Sequence, residues 1–264
     1  MLLPTRVFLA IASVCGRAAR VFEALAAGTL TRQQLRSGIA EDWGSFRQDP
    51  EEVYRGLFQW EEQVLGEVIA GSGDLLLVGC GTGRELVALA SRGYRVVGLD
   101  PSVSALETAG RFLAARDLPA TLIPGFFEET DVPGQFDAVI FTHRAYGLIQ
   151  GRQHRVGALQ KAATLLRPTG RIVVSYLQGT GSHAVLQVAA RVGGRLAGSD
   201  WRVEPGDHLY ATRSGGFGFE HHFSANEFES EVADAGLTRV HAIDGPCPAV
   251  VLDIAAAAKQ ASCR

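Results

Sequence analysis

The sequence predicts an α/β protein organised on a largely parallel sheet, and three stretches carry that expectation. Leu75-Leu76-Leu77-Val78 is a short, continuous apolar run, as expected of a strand buried on both faces. Gly79-Cys80-Gly81-Thr82-Gly83 follows as a tight turn, and from Glu85 to Ser91 the apolar residues Leu86, Leu89 and Ala90 share one helical side. A second apolar run then ends at Asp100. Glycines in such a turn let a ligand approach the backbone, and an acid at the tip of the second strand can accept hydrogen bonds from ribose hydroxyls. Strand, glycine turn, helix, strand and acid together form a nucleotide-binding βαβ unit.

The glycine spacing narrows the ligand. A dinucleotide fingerprint reads G-x-G-x-x-G and seats a pyrophosphate at the helix N-terminus. Here the spacing is G-x-G-x-G, followed by Arg84 and Glu85. An acid at that point disfavours a pyrophosphate and could hold a cation such as an amino group. Val78-Gly79-Cys80-Gly81-Thr82-Gly83 and Val97-Gly98-Leu99-Asp100 resemble the first two motifs of the class I S-adenosylmethionine-dependent methyltransferases of the small-molecule type. Phe136-Asp137 opening a strand, and the Leu-x-Pro-x-Gly stretch at 166–170, are similar to further family features.

That resemblance, which covers roughly residues 60–254, implies a Rossmann-like, seven-stranded, mostly parallel sheet with helices on both faces. An N-terminal helical cap (1–70) would precede the core (71–264), which would carry a lid insertion at 179–222. It implies S-adenosyl-L-methionine as cofactor and methyl transfer to an O, N or S atom of a small molecule. The expected cofactor-binding residues are Gly79, Cys80, Gly81, Gly83, Asp100, Pro101, Phe127, Glu128, Thr142 and Trp43. Relatives often place a Gly-Asp pair after the third strand to hold the adenine amino group. Phe126 stands there instead, so Phe126 or Phe127 is expected to stack on adenine, with Glu128 replacing the missing acid. Trp43, Phe46 and Tyr54 are lid candidates or ordinary packing aromatics. Two alternatives stay open: a nicotinamide-dependent oxidoreductase, and a cofactor-binding regulatory protein without catalysis.

The 264 residues suffice for one sizeable α/β domain with accessory elements. A net charge of −3 gives no basic field for nucleic acid, and no Asn-Pro-Pro-Tyr-type motif follows the fourth strand. Cys15, Cys80, Cys247 and Cys263 are scattered, without metal-ligand spacing, so no metal and a reducing, cytoplasmic setting are expected. Cys80 is either a reactive thiol or a small residue that fits the turn.

Along the chain, Val7, Ile11, Val14, Ala18, Val21 and Leu25 recur at helical spacing. The apolar stretch is short for a membrane span, so a helix packed on the domain or on a second subunit is expected, with surface attachment to a membrane as the alternative. The protein is expected as a monomer or homodimer. Thr31 can cap a short helix, and Asp49-Pro50 starts a helix running to about Ala70. Further expectations are a helix at 103–116, strands at 121–124 and 136–141, a helix at 151–166, a turn at 167–170 and a strand at 171–176. The insertion should hold a helix near 183–196 and then an irregular stretch carrying Trp201, Tyr210, Phe217 and Phe219, which suggests a planar or apolar substrate. Ser224 and Glu227 form a capping box for the next helix. Strands at 240–243 and 249–254 and an alanine-rich, frayed tail complete the chain.

Methyl transfer from a sulfonium needs the acceptor positioned and water excluded, and a base only where the nucleophile keeps its proton until attack. The expected catalytic residues are His143, first choice as base at the end of the fourth strand, Tyr146, to orient the acceptor or simply pack, and His222. His221 and His222 should point in opposite directions, so at most one faces the pocket. Arg144, Arg152, His154 and Arg155 form a basic run that could receive an acidic substrate or line a solvated helix face.

Overall fold

Leu75, Leu76 and Leu77 are fully buried, and their strand, β1 (Asp74–Val78), lies inside the main sheet. The computed structural model describes residues 3–44, 49–68, 71–179, 184–212, 215–244 and 248–255. Among these, seven strands run in the order β3-β2-β1-β4-β5-β10-β9. They are β2 (Arg95–Asp100), β3 (Ala120–Pro124), β4 (Phe136–Phe141), β5 (Leu166–Ser175), β9 (Leu237–Ile243) and β10 (Ala249–Ile254), with β1. The pairs β1–β2, β1–β4, β2–β3 and β4–β5 are parallel, while β10 runs antiparallel to both β5 and β9. This is the expected seven-stranded, mostly parallel sheet.

Alternate residues of β1 enter opposite cores, as a pleated strand covered on both faces requires. Leu76 and Val78 join the cluster holding Ala158, Leu159 and Ala162 of α7 (Arg152–Thr164) and Phe228 and Val232 of α9 (Ala225–Asp234). Leu75 and Leu77 join the cluster holding Val64 and Leu65 of α4 (Gln59–Val68), Leu86 and Leu89 of α5 (Arg84–Ala90), and Leu106 and Ala109 of α6 (Val103–Ala114). Ser102 caps α6, and the Ser224–Glu227 capping box closes on α9 as expected.

Three local expectations are corrected. The helix expected from Pro50 to Ala70 is two: α3 (Pro50–Tyr54) and α4, separated by Gly56 at φ +82°, with the Phe58 N–H donating to Glu61 Oε2 at 2.7 Å. Glu61 thus caps α4 from within its first turn. Residues 167–170 do not form a separate turn; they lie within β5, where the pairing with β4 jumps from Phe136↔Leu166 to Ala138↔Arg171. The irregular stretch after residue 197 holds a hairpin, β7 (Asp207–Ala211) and β8 (Phe217–Phe223), and β8 also pairs with the short β6 (Leu177–Gln178).

Two N-terminal helices, α1 (Leu3–Gly28) and α2 (Arg32–Gly44), pack on this insertion. Thr31 and Gln34 exchange side-chain and backbone hydrogen bonds at the start of α2. Leu35 and Ile39 of α2 bury against Phe219 of β8. The C-terminal half of α1 lies on α8 (Ala184–Ala197), where Gly28 meets the Ala190 backbone and Gly193 meets the Leu25 backbone too closely for any side chain. α1 packs on α8, and α2 packs on β8. No helix among the described residues is long and apolar enough to cross a membrane.

Candidate active site

A cavity opens at the carboxyl ends of β1, β2 and β4, where open parallel sheets bind ligands. Its floor is backbone. Gly79, at φ +78°, hydrogen-bonds through its N–H to Leu99 O at 2.8 Å, which ties the turn to the end of β2. A Cβ at Gly79 would stand 2.7 Å from the Ala145 Cβ, so only glycine lets β1 turn beneath the β4 loop. Thr142 closes that contact from the other side, its N–H donating to Val78 O at 3.0 Å and its hydroxyl donating to Gly79 O.

Asp100 is 8% exposed and lines the cavity. Its Oδ2 accepts from the Gly81 N–H and its Oδ1 from the Ser102 N–H, both at 2.8 Å. Burial pushes its carboxyl above the usual range, while these two amides pull it back. Each oxygen keeps a further lone pair, so the carboxylate arrives oriented and able to accept from two neighbouring hydroxyls.

The remaining expected cofactor residues, Gly79, Cys80, Gly81, Gly83, Pro101, Phe127, Glu128, Thr142 and Trp43, all line this cavity, as does His143. His143 faces aromatic neighbours, with ring centroids 6.0 Å from Phe58 and 6.5 Å from Trp60. The Cys80 thiol is pushed well up by burial and by the Asp100 and Glu85 carboxylates, which leaves it a space-filling turn residue rather than a nucleophile. Phe126 lies beneath the Arg36 guanidinium at 3.7 Å, and Glu128 pairs with the same arginine at 3.7 Å.

Glu85 sits in a buried charge cluster. Arg84 donates to both Glu61 oxygens at 2.6 Å and to Glu85 Oε1 at 2.5 Å, with its guanidinium 3.8 Å from the Phe58 ring centre. One arginine is thus shared by two carboxylates beside the cavity. Burial raises the Glu85 pKa, Arg84 opposes that rise and Glu61 adds to it. The cation anticipated at Glu85 is in part supplied by the protein itself.

Two expected catalytic residues lie elsewhere, and both expectations are corrected. Tyr146 is fully buried in the core; its hydroxyl donates to Glu231 Oε2 at 2.7 Å and its ring stacks on Phe223. It lies in the short 3₁₀ turn Ala145–Leu148 and belongs to the core cluster, not to the cavity lining. His222 stacks on His208 at 3.8 Å and approaches Glu220 at 3.5 Å on the lid sheet. His221 points to the other side, as alternation demands, and neither histidine lines the cavity. His221 Nδ1 lies 2.6 Å from Asp207 and Nε2 3.0 Å from Glu227. Burial would lower its pKa, but bonds to both carboxylates outweigh burial and raise it.

The basic run is largely paired within the protein, with His154 exposed. Arg155 is fully buried against Glu231 at 2.7 Å, Arg152 pairs with Asp234 at 2.9 Å, and His154 meets Arg32. Arg144 adopts φ +66°, a costly conformation for a residue with a side chain, and is held by Ser175 and by the lid residue Glu220. Of the lid candidates, Trp43 lines the cavity, and Tyr54 packs edge-on against Phe112 outside it. Phe46 lies outside the described residues.

Sequence reasoning did not single out Arg36, Ile39 and Ala40 of α2, which roof the cavity with Trp43. Their 3-, 4- and 7-residue spacing from Arg36 places them on one helical face, a signal the chain did carry. Gln150 was also missed. It is 3% exposed, lines the cavity, and both its amide atoms are buried without a hydrogen-bond partner. A buried donor and acceptor left unpaired is costly unless a ligand completes them. The site thus offers acceptors at Asp100 and an unpaired donor and acceptor at Gln150.

Residues 75–170 match the family model described as a methyltransferase domain. An uncharacterized methyltransferase of Oceanobacillus iheyensis is 29% identical over 142 residues, 51% of this chain and 63% of that protein. A cypemycin N-terminal methyltransferase from a Streptomyces species is 32% identical over 96 residues, 36% of this chain and 38% of that protein. The chain thus spans less than two thirds of the length of these curated relatives. Among solved structures, an amino pentose methyltransferase from Micromonospora echinaspora superposes with a TM-score of 0.53 at 20% identity, covering 76% of this chain and 93% of that one. Residues 75–170 are accordingly similar to a methyltransferase domain, and the sheet that carries them has the fold of the solved methyltransferase it superposes on.

Proposed function

We propose that this chain transfers a methyl group from S-adenosylmethionine to an O, N or S nucleophile of a small molecule. The observation that carries this reading is the pairing of a backbone-floored turn with a buried, pre-oriented Asp100 at one cavity. Bound there, the cofactor would supply a methyl on a sulfonium leaving group. Asp100 would hold the ribose, and the Gly79–Gly83 turn would lie under the amino-acid part. Gln150 would meet the purine edge, and α2 would shut out water through Ile39, Ala40 and Trp43.

His143, at the tip of β4, would take a proton from the acceptor. An imidazole is a side chain suited to that role, and His143 stands on the cavity wall, where Tyr146 and His222 do not. Amines are the first acceptors to try. The cypemycin relative is named for methylating an N-terminus, the amino pentose enzyme for its amino sugar, and the Glu61–Arg84–Glu85 cluster sets two carboxyl groups against one arginine beside the cavity.

The test is transfer of radiolabelled methyl from S-adenosylmethionine to panels of small amines, phenols and thiols. Turnover with one class, abolished by excess S-adenosylhomocysteine, is expected. Tight cofactor binding with no turnover on any class would favour a non-catalytic cofactor sensor.

A further inference from the structure

Arginines outside one face of this molecule are nearly all neutralised from within. Arg32, Arg36, Arg84, Arg144, Arg152, Arg155 and Arg167 each pair with a carboxylate. Arg17 and Arg20 on α1, and Arg191, Arg195 and Arg202 on and just after α8, have no carboxylate partner among the described residues. Arg17 bonds only to Ser13 one turn back, and Arg191 donates to a backbone carbonyl, Val203 O, at 3.0 Å. Arg191, Arg195 and Arg202 line a groove beside Gly28 and Trp201, remote from the methyltransferase cavity. Over their full lengths α1 and α8 contain five arginines against a single acid, Glu23, in a chain whose net charge is −3.

The same two helices expose apolar side chains. Val185, Val188, Val192 and Leu196 follow one another at spacings of three, four and four, which makes a single stripe along α8. Leu196 is 82% exposed. Arg191 and Arg195 stand on the flank of that stripe, one turn apart. On α1, residues 13–20 are exposed on every side, and Phe22 is 70% exposed. The opposite side of α8, at Ala189, Ala190 and Gly193, is the one that α1 covers.

We propose that the α1–α8 face docks onto an anionic phospholipid bilayer. The apolar stripes would enter the headgroup–acyl boundary, and the unpaired arginines would meet lipid phosphates. Charge selects this occupant. A second copy would bring a like-charged face against this one, whereas lipid phosphates complement it. Docking would also set the roof of the active site near the lipid, because α1 runs through Thr29–Thr31 into α2.

The test is co-sedimentation of the full chain with vesicles of phosphatidylcholine alone, and with about one third phosphatidylglycerol added. The expected result is partition on the order of tenfold stronger to the anionic vesicles, lost in molar salt, where the screening length falls to about 3 Å. The double charge reversal Arg191→Glu/Arg195→Glu and the double substitution Val188→Ser/Leu196→Ser should each cut that partition on the order of tenfold, with S-adenosylhomocysteine affinity unchanged. The salt dependence of the unaltered chain is read independently of whether either variant folds. Binding to neither vesicle, or equally to both, overturns the proposal. A concentration-dependent dimer in light scattering that both double substitutions disrupt overturns it in favour of a second copy, and capture only by soluble acidic proteins overturns it as well.

Discussion

The carboxyl edge of the sheet and the lid hairpin both present histidines, and they use them in opposite ways. His143 stands at the tip of β4 on the cavity wall, among Phe58 and Trp60. His221, on β8, is fully buried between Asp207 and Glu227, and its neighbour His222 stacks on His208. A rule of topology governs the first: ligands gather where parallel strands end, whatever the residues there. No such rule governs an insertion, where a histidine is as readily a structural cation as a base. The two regions are joined through Arg144, next to His143, which binds Glu220 of the hairpin. The lid's charges therefore serve the edge by holding its loop.

Substitutions can break or sharpen this contrast. His143→Ala should lower turnover by about 10²- to 10⁴-fold, the usual worth of a general base, while cofactor affinity stays the same. His222→Ala should leave turnover within about a factor of a few. Equal losses from the two would erase the distinction between edge and lid. Asp100→Asn should weaken S-adenosylhomocysteine binding by about 10- to 100-fold in calorimetry, since a charge-assisted hydrogen bond is worth about 1.5–3 kcal/mol.

Glu231→Ala should act on stability instead. It strands the fully buried Arg155 and the Tyr146 hydroxyl, and loss of one partner of a buried pair costs about 3–5 kcal/mol. For a chain of this size that is a fall in Tm on the order of 10 °C, with little change in cofactor affinity. The smallest effect belongs to His221. Its pKa is raised in the folded state, so its stabilising charge is fully present below about 6.5 and is lost as pH rises through the higher folded value. Thermal melts should show Tm falling by a few degrees as pH climbs from about 6.5, and His221→Asn should flatten that slope. A slope unchanged in the variant would place the titration elsewhere.

Much of the edge was legible from sequence because its determinants are local. The G-x-G-x-G spacing, the apolar runs and Asp100 lie within 26 residues, and backbone geometry leaves them one arrangement. The hairpin was harder to read, although Phe217, Phe219, His221 and Phe223 share one face of β8. His221 and His222 within that alternation looked like site chemistry, when His221 pairs with Asp207 and Glu227, and His222 approaches Glu220. Tyr146 was misplaced for another reason: Ala145 and Leu148 on either side of it line the cavity, and the 3₁₀ turn that holds all three buries its ring in the core instead. Gln150 gave no signal at all, because an unpaired amide is visible only once its surroundings are known.

The most direct measurement is a calorimetric titration of the unaltered chain with S-adenosylhomocysteine, beside one with NADH. One saturable site for S-adenosylhomocysteine, weakened by Asp100→Asn, and no heat from NADH is the expected result. Uptake of NADH, or no uptake of S-adenosylhomocysteine, would contradict the placement of an adenosyl cofactor at the tip of β1.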